Sequence, residues 1–285
     1  MIAVTGATGQ LGRLVLSSLL GRVPAASLVA AVRSPEKAAD LAAQGVAVRK
    51  ADYSQPDRLR TAFDGVETLL LISSSEVGQR APQHAAVIAA ARQAGVRTVV
   101  YTSILHADRS PLMLAEEHRA TEAELRASGL GWVLLRNGWY SENFAGSVPV
   151  AVEHGAVIGS SGTGKVSAAS RADFAEAAAV VLADPAAHLG QTYELAGDAG
   201  FTKAELAAEI AAQSGKPVVY ADMPEVDYAA ALTQAGVPGP FAQVLADSDV
   251  GQSKGALEAD GQVLSGLIGR PTQPMPEMVR AALAG

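Results

Sequence analysis

The first 21 residues, MIAVTGATGQLGRLVLSSLLG (1–21), place three evenly spaced glycines directly after a short apolar run. The run 1–5 is typical of a buried β-strand, and the apolar spacing after the glycines is typical of a helix. Gly6 and Gly9 would allow a tight turn close to a pyrophosphate, while Gly12 would let the helix pack on the strand. The stretch therefore predicts a dinucleotide-binding β-α unit with amides facing the anion; a tight turn without a ligand is the alternative.

Strand candidates alternate with amphipathic helical stretches along the first half of the chain. Continuous apolar runs of this kind suit parallel strands covered on both faces, and six β-α repeats imply a doubly wound sheet with right-handed crossovers. We therefore expect an α/β fold with a Rossmann-like NAD(P)-binding domain over 1–136. The strand candidates are 1–5, 27–32, 46–50, 67–72, 97–102 and 131–136.

After this half the β-α rhythm stops, and loops lengthen. We expect residues 137–285 to form a smaller α/β lobe that covers the cofactor crevice, with part of 155–185 packing back on the first domain. A helix is predicted over 202–215.

Capping-box patterns predict where three helices begin. The pairs are Ser54 with Asp57, Ser170 with Asp173, and Thr202 with Glu205. In such a pair the hydroxyl accepts from the backbone of the acid, whose carboxylate accepts from the backbone of the cap.

The amino-acid composition limits the classes of partner that the protein can bind. The net charge is −7, which argues against nucleic acid or an anionic membrane surface. The chain has no cysteine, which excludes disulfides and thiolate metal ligands. The longest apolar run, 177–183, is too short to span a bilayer, and no basic leader precedes the strand at 1–5. We expect a cytoplasmic protein without nucleic-acid or membrane partners; the sequence leaves an oligomer open.

The end of the second strand candidate indicates which coenzyme binds. NAD sites carry an acid there for the ribose hydroxyl, whereas an arginine accommodates a 2′-phosphate. Here the sequence is LVAAVRSPEK, so Arg33 takes that place and no acid is present. This favours NADP(H), unless Arg33 is an ordinary solvent-facing side chain.

Polar residues follow the later strand candidates at the edge where open α/β sheets bind ligands. Asp52 has two readings, as an acceptor for the adenine amino group or as a turn cap. Residues 73–75 are three serines that would line the ribose or begin an ordinary loop. The polar-aromatic loop 137–143 would place the nicotinamide and a planar substrate, or plug the space between the lobes with apolar side chains.

The proton-donating pair of most short-chain dehydrogenases, Tyr-x-x-x-Lys, is missing. None of the six tyrosines has a lysine four residues later, which argues against a sugar-nucleotide epimerase. On the helix where that pair would lie, His118 is the candidate catalytic side chain, although a packed core histidine is the commoner outcome. No G-x-S-x-G pattern supports a hydrolase.

Longer stretches of the chain, VRSPEKA, LLLISSSEVGQRAPQH, LRNGWYSENF and LADSDVGQSKGALE, resemble the NmrA-like atypical short-chain dehydrogenases/reductases nearly end to end. The resemblance implies a Rossmann-like domain with a small C-terminal domain, a preference for NADPH, no flavin and quinone-type acceptors. We expect no metal. The cofactor contacts that it implies are Gly6, Ala7, Thr8, Gly9, Gln10, Leu11, Arg33, Ser73, Ser74, Ser75, Asn137, Gly138, Trp139, Tyr140, Ser141, Glu142 and Arg171.

Two functions follow from these residues. One is direct hydride transfer from NADPH to a quinone, whose product anion is delocalised and needs no positioned acid, so that orientation is the main contribution. The other is a redox sensor that binds the dinucleotide without turning it over.

Overall fold

A computed structural model of the chain describes residues 1–259 and 261–285. Its strands are β1 Ile2–Thr5, β2 Leu28–Val32, β3 Ala47–Lys50, β4 Thr68–Leu71, β5 Thr98–Ile104, β6 Gly131–Asn137, β7 Ala156–Gly159, β8 Lys165–Val166, β9 Thr192–Leu195, β10 Phe201–Thr202 and β11 Val219–Asp222. Its α-helices are α1 Gln10–Leu20, α2 Ala39–Ala43, α3 Pro56–Ala62, α4 Arg80–Gln93, α5 Met113–Ala127, α6 Glu142–Ala145, α7 Val148–His154, α8 Arg171–Ala183, α9 Lys203–Ser214, α10 Glu225–Gln234, α11 Gly239–Ser253, α12 Val263–Ile268 and α13 Met275–Ala284.

The main sheet has the strand order β3-β2-β1-β4-β5-β6-β9. The pairings among its first six strands are all parallel. Every residue of β2, β4 and β5 is buried, as expected for a parallel sheet covered on both faces. The predicted α/β fold with a doubly wound sheet is confirmed. The strand order reverses between β1 and β4, so their carboxyl ends form the crevice in which such sheets bind ligands.

Helix α1 contributes an apolar face to this core. Its buried residues include Leu11, Val15 and Leu19, a four-residue spacing that keeps the side chains on one side of the helix. Helix α8 packs against α1, and Arg22 pairs with Glu176 of α8 at 3.3 Å. Among the described residues, none of the helices combines the length and apolar character needed to cross a bilayer.

The chain divides into two compact units. The first comprises 1–107, 116–137 and 171–193, and the second comprises 108–115, 138–170 and 194–285. In the second unit β11 pairs in parallel with β7, and β10 pairs antiparallel with β8. The functional division at residue 136 stays a prediction.

The capping-box predictions at Thr202 and Ser54 have different outcomes. At the start of α9, Glu205 N–H donates to Thr202 Oγ1 at 3.1 Å and Thr202 N–H donates to Glu205 Oε2 at 2.8 Å, which confirms the box. The box at Ser54 is wrong. Its N–H and hydroxyl donate to Asp52 Oδ1 at 3.0 and 2.7 Å, and α3 begins only at Pro56. A nearer carboxylate therefore competes with the helix for the serine.

Candidate cofactor site

The turn between β1 and α1 is built from backbone atoms. Gly6 has a φ of +58°, a left-handed conformation that glycine adopts without strain. The Gly9 N–H donates to the Gly6 carbonyl at 2.8 Å. Helix α1 then begins without a side-chain cap from any described residue. Its first amides lie at the positive end of the helix, where an anion can accept from them.

The packing of α1 on this turn excludes a side chain at Gly12. A Cβ atom there would lie 2.4 Å from the Gly6 carbonyl oxygen and 2.8 Å from the Ala7 Cα. At Gly9 the same atom would lie 3.1 Å from the Gly6 oxygen. The glycine turn, residues 6–12, therefore needs glycine at position 12 and favours it at positions 6 and 9. Its bare backbone fits a pyrophosphate, whose oxygens must approach amides closely.

A cavity of about 450 Å³ opens at the carboxyl ends of β1 to β4, within the first unit. Its lining joins residues that follow four different strands. The sequence-predicted residues in this lining are Gly6, Thr8, Gly9, Arg33, Asp52, Ser73, Ser74 and Ser75. Three other predicted contacts belong to the turn but not to this lining: Ala7 and Leu11 are buried, and Gln10 is exposed.

Other residues, which were not predicted from the sequence, also line the cavity. They are Arg13, Ser34, Lys37, Ala51, Tyr53, Ile72, Glu76 and Gln83. Two of them carried a local signal: Arg13 lies on the first turn of α1, and Lys37 follows Arg33 closely. Glu76 and Gln83 come from a loop and a helix that only the folded sheet brings beside β2.

The cavity wall carries three cationic side chains. Arg13 donates to Asp40 Oδ2 and to the Lys37 carbonyl, both at 2.6 Å. The hydrogen bond from Arg13 lowers the pKa of Asp40. Arg33 Nη1 lies 2.9 Å from Glu76 Oε1. Because phosphate groups need cationic donors, this wall fits a phosphorylated ligand.

Asp52 and Tyr53 have defined roles in the cavity wall. The Ser54 donors hold Asp52 as the acceptor of a local turn and lower the pKa of its carboxyl group. Tyr53 OH contacts Thr5 Oγ1 at 2.5 Å and the Ile72 carbonyl at 3.0 Å. Burial raises the pKa of the Tyr53 phenol well above its usual range. Tyr53 therefore stays protonated and ties β1, β3 and β4 together.

Residues 73–75, the serine loop, are held by partners on α4 and β5. Ser73 N–H donates to Thr102 Oγ1, and Ser74 N–H donates to His84 Nε2, both at 2.9 Å. His84 Nδ1 lies 2.9 Å from Thr121 Oγ1. Because Thr121 already donates to the Glu117 carbonyl, we assign the imidazole proton to Nδ1. Burial lowers the pKa of His84 to about 4, so the ring is neutral near pH 7.

His118, the candidate catalytic side chain, is buried beside this loop. Its Nδ1 lies 2.7 Å from Tyr101 OH, and its Nε2 lies 3.4 Å from Arg80 Nη1. Burial, with Arg80 nearby, holds the pKa of His118 well below its usual range. His118 does not line the 450 Å³ cavity. Its catalytic role stays a prediction.

A buried carboxylate cluster joins the ends of β5 and β6. Glu122 accepts from Arg136 Nε and Nη2 at 2.9 and 2.8 Å, and from Ser103 Oγ at 2.7 Å. The neighbouring Asn137 ends β6, and its backbone carbonyl accepts from Leu105 N–H at 2.9 Å. Within residues 1–259 and 261–285, the Asn137 side-chain oxygen is a buried acceptor without a hydrogen-bond donor. Such an atom fits a ligand amide N–H.

The other predicted contacts lie outside the cavity lining. In the second unit, the loop after β6 is anchored: Gly138 N–H donates to the Leu195 carbonyl at 2.7 Å, and Ser141 N–H to the Ala169 carbonyl at 2.8 Å. Trp139, Tyr140 and Glu142 are half-buried there. In the first unit, Arg171 begins α8 and is also half-buried.

A parallel sheet, a turn with three glycines at its switch point and a cationic wall together define a dinucleotide-binding protein of the Rossmann type. The family model described as NAD(P)H-binding matches residues 6–185. The chain belongs to this family.

Relatives match the chain over nearly its whole length. It is 58% identical to quinone oxidoreductase 2 of Escherichia coli (strain K12), over 98% of this chain and 97% of the relative. The crystal structure of the E. coli NADPH-dependent quinone oxidoreductase with NADPH superposes with a TM-score of 0.97 at 57% identity, covering 99% of this chain and all of that one. The Citrobacter sp. triphenylmethane reductase with NADP(H) gives a TM-score of 0.95 at 41% identity, with the same coverage. The resemblance seen in the sequence is confirmed.

Proposed function

We propose that this protein is an NADPH-dependent quinone reductase that transfers a hydride directly to a planar quinone-type acceptor, without a flavin or a metal. The E. coli relative is named a quinone oxidoreductase, and its structure is described as NADPH-dependent. The observation that carries the proposal is that one cavity contains both the bare glycine turn and Arg33.

Each part of the coenzyme has residues suited to hold it. The turn residues Gly6 to Leu11 offer amides to the pyrophosphate, and Arg33 offers its guanidinium to the 2′-phosphate. Residues 73–75 offer hydroxyl groups to a ribose. At the nicotinamide end we place Asn137, whose buried oxygen has no donor among the described residues, followed by Gly138, Trp139, Tyr140, Ser141 and Glu142. Arg171 is proposed as a further phosphate or ribose contact.

Three side chains of the first unit, Tyr53, Tyr101 and His84, suit a reaction that needs no acid. When bound, NADPH supplies a hydride. A quinone that accepts it becomes a delocalised phenolate, which water protonates later. Tyr53 and Tyr101 have pKa values raised far above neutrality by burial, and His84 is neutral. The contribution of the chain is then to hold the two rings together, which is a proximity effect.

His118 is the one side chain that we carry forward as a catalytic candidate. A His118→Gln variant tests this role. If His118 donates a proton, the variant should have a lower kcat and an altered pH profile of kcat. If His118 only packs in the core, the variant should have a lower melting temperature and an unaltered pH profile of kcat.

The test of the proposed activity is quinone-dependent loss of NADPH, followed at 340 nm with 1,4-benzoquinone. We expect turnover with protein that shows no flavin absorbance, and a higher kcat/KM with NADPH than with NADH. An Arg33→Ala variant should lose that preference.

The sensor hypothesis gives the opposite result. A sensor binds NADPH and NADP with distinct affinities, measured by calorimetry, and leaves NADPH intact when quinone is added. That outcome contradicts the reductase proposal.

We also propose that the protein acts in the cytoplasm, without nucleic-acid or membrane partners. The net charge of −7 supports the absence of nucleic-acid and anionic-membrane partners, because such partners would be repelled. Fractionation of cells that express a tagged chain would test the location.

A further inference from the structure

The arginine that we assign to the 2′-phosphate already has an anionic partner inside the cavity. Arg33 Nη1 lies 2.9 Å from Glu76 Oε1, and the two side chains are 66% and 47% exposed. Both residues line the same 450 Å³ cavity, although they are 43 positions apart in the chain. A carboxylate therefore lies beside the guanidinium where a phosphate would bind.

The Glu76 carboxylate is oriented by a second donor. Gln83 Nε2 donates to its other oxygen, Oε2, at 2.7 Å. The Glu76 backbone N–H donates to Ser74 Oγ at 3.1 Å, which fixes the start of the side chain. The loop itself is held by His84 and by Arg80, which donates to the Ser74 carbonyl at 2.6 Å. These contacts direct Oε1 toward Arg33.

The other paired arginine of the cavity is arranged differently. Arg13 pairs with Asp40 at 2.6 Å, and Asp40 does not line the cavity. A phosphate that reaches Arg13 does not displace a cavity carboxylate, whereas one that reaches Arg33 meets Glu76. Two anions that share one guanidinium repel each other.

We propose that Glu76 is a specificity-determining residue that weakens binding of the 2′-phosphate and so narrows the preference for NADPH over NADH. This inference rests on the proposed role of Arg33. A phosphate must displace the Glu76 carboxylate or share Arg33 with it. A ribose 2′-hydroxyl donates a hydrogen bond to a carboxylate instead, so Glu76 opposes one coenzyme and tolerates the other.

The experiment compares 2′,5′-ADP with 5′-AMP by isothermal titration calorimetry, at low and high ionic strength. The proteins are the wild type, Glu76→Gln, Glu76→Asp and the control Glu124→Gln. Glu124 is exposed on α5 and lies outside the cavity, so its variant removes the same charge elsewhere.

We expect Glu76→Gln to bind 2′,5′-ADP about three- to tenfold more tightly, as for a charge pair near the surface. Binding of 5′-AMP should not tighten. The gain should shrink at high salt because screening weakens the repulsion. Glu76→Asp keeps the charge and should stay within about twofold of the wild type, as should Glu124→Gln.

Three outcomes contradict the inference. One is that Glu76→Gln, folded with a wild-type melting temperature, binds 2′,5′-ADP no more tightly. Another is that both ligands tighten equally, which indicates a general charge effect. If neither the wild type nor Glu76→Gln binds 2′,5′-ADP more tightly than 5′-AMP, the role of Arg33 and this inference are both wrong. Loss of the proposed activity is separate: protein without quinone turnover can still show the Glu76 effect on binding.

Discussion

The glycine turn and the buried carboxylate cluster lie in the same unit but depend on different parts of the chain. In the glycine turn the contacts come from neighbours: Gly9 bonds to Gly6, and Gly12 packs on the Gly6 carbonyl. In the cluster, Ser103 and Arg136 lie 19 and 14 positions from the carboxylate that they share. The turn depends on the lack of a side chain at its glycines, whereas the cluster depends on hydrogen bonds between charged and polar side chains. A local pattern therefore specifies the first, and long-range packing specifies the second.

The largest expected effect is in the carboxylate cluster. Glu122→Ala removes the carboxylate that accepts from Nε and Nη2 of the buried Arg136, and breaking a buried pair costs about 3–5 kcal/mol of the free energy of unfolding. Urea unfolding measures this change. The control Glu124→Ala, on the exposed side of the same helix, should change it by less than about 0.5 kcal/mol. A loss below about 1 kcal/mol at Glu122 would show that the cluster is no more important than a surface pair.

Acid is expected to destabilise the fold through protonation of His84. The pKa of His84 is about 4 in the fold against 6.5 ordinarily, so the unfolded chain binds more protons between these values. The contribution of neutral His84 to the free energy of unfolding is present above pH 6.5. It is lost as the pH falls toward 4, and the loss is roughly 3 kcal/mol. A protonated ring also cannot accept from Ser74.

Urea unfolding across this pH window tests the point. His84→Gln should lose less stability on acidification than the wild type, while the exposed-residue control His154→Gln should follow the wild type. Burial of His118 acts in the same direction, so part of the slope should remain. Identical slopes for wild type and His84→Gln would contradict the assignment of a neutral His84.

A side chain at Gly12 is expected to disturb the glycine turn and weaken coenzyme binding. Gly12→Ala puts a Cβ atom 2.4 Å from a carbonyl oxygen, and such overpacking costs about 1–3 kcal/mol. Because α1 must shift, we expect NADPH affinity to fall about tenfold, measured by fluorescence titration. Gly146→Ala is the control, since nothing lies within 4 Å of its added atom. Equal affinities in the two variants would mean that the turn does not bind the pyrophosphate.

The smallest effect is expected at Arg33. Arg33→Ala removes a charged hydrogen-bond donor to the 2′-phosphate, and we expect NADPH affinity to fall about tenfold. The fall is limited because Glu76 already competes with the phosphate for Arg33. NADH affinity should change less than about twofold, as should both affinities in the control Arg58→Ala, an exposed arginine of α3. A parallel loss for both coenzymes would move the 2′-phosphate site elsewhere, with Arg13 and Lys37 as the next candidates.

The fold was predictable where pattern and structure share one period. The six strand candidates agree with β1 to β6 within two residues at each end, because a buried parallel strand needs a continuous apolar run. The seventh strand, β9, was not placed in this sheet from the sequence. The Ser54 prediction failed because Asp52, two residues earlier, accepts its hydrogen bonds.

The site divides in the same way. Gly6, Gly9, Arg33 and the serines of 73–75 could be found because glycine, arginine and serine shortly after a strand are typical of a dinucleotide site. Glu76, Gln83 and Tyr53 could not, because their place in the cavity depends on which strands become neighbours. Asn137 was predicted as a contact from the sequence, but that its buried side-chain oxygen has no donor among residues 1–259 and 261–285 is visible only in three dimensions.

By itself the sequence determined the parallel sheet, the glycine turn and the positive residue at the end of β2. Those features depend on local periodicity and on the steric freedom of single residues, both of which are written along the chain. The tertiary structure alone decided that Glu76 faces Arg33, that His84 is held neutral against Ser74, and that Glu122 is buried with Arg136. These are pairings across 10 to 43 positions, which form only once the strands have packed, and the neutrality of His84 depends on the burial that this packing brings.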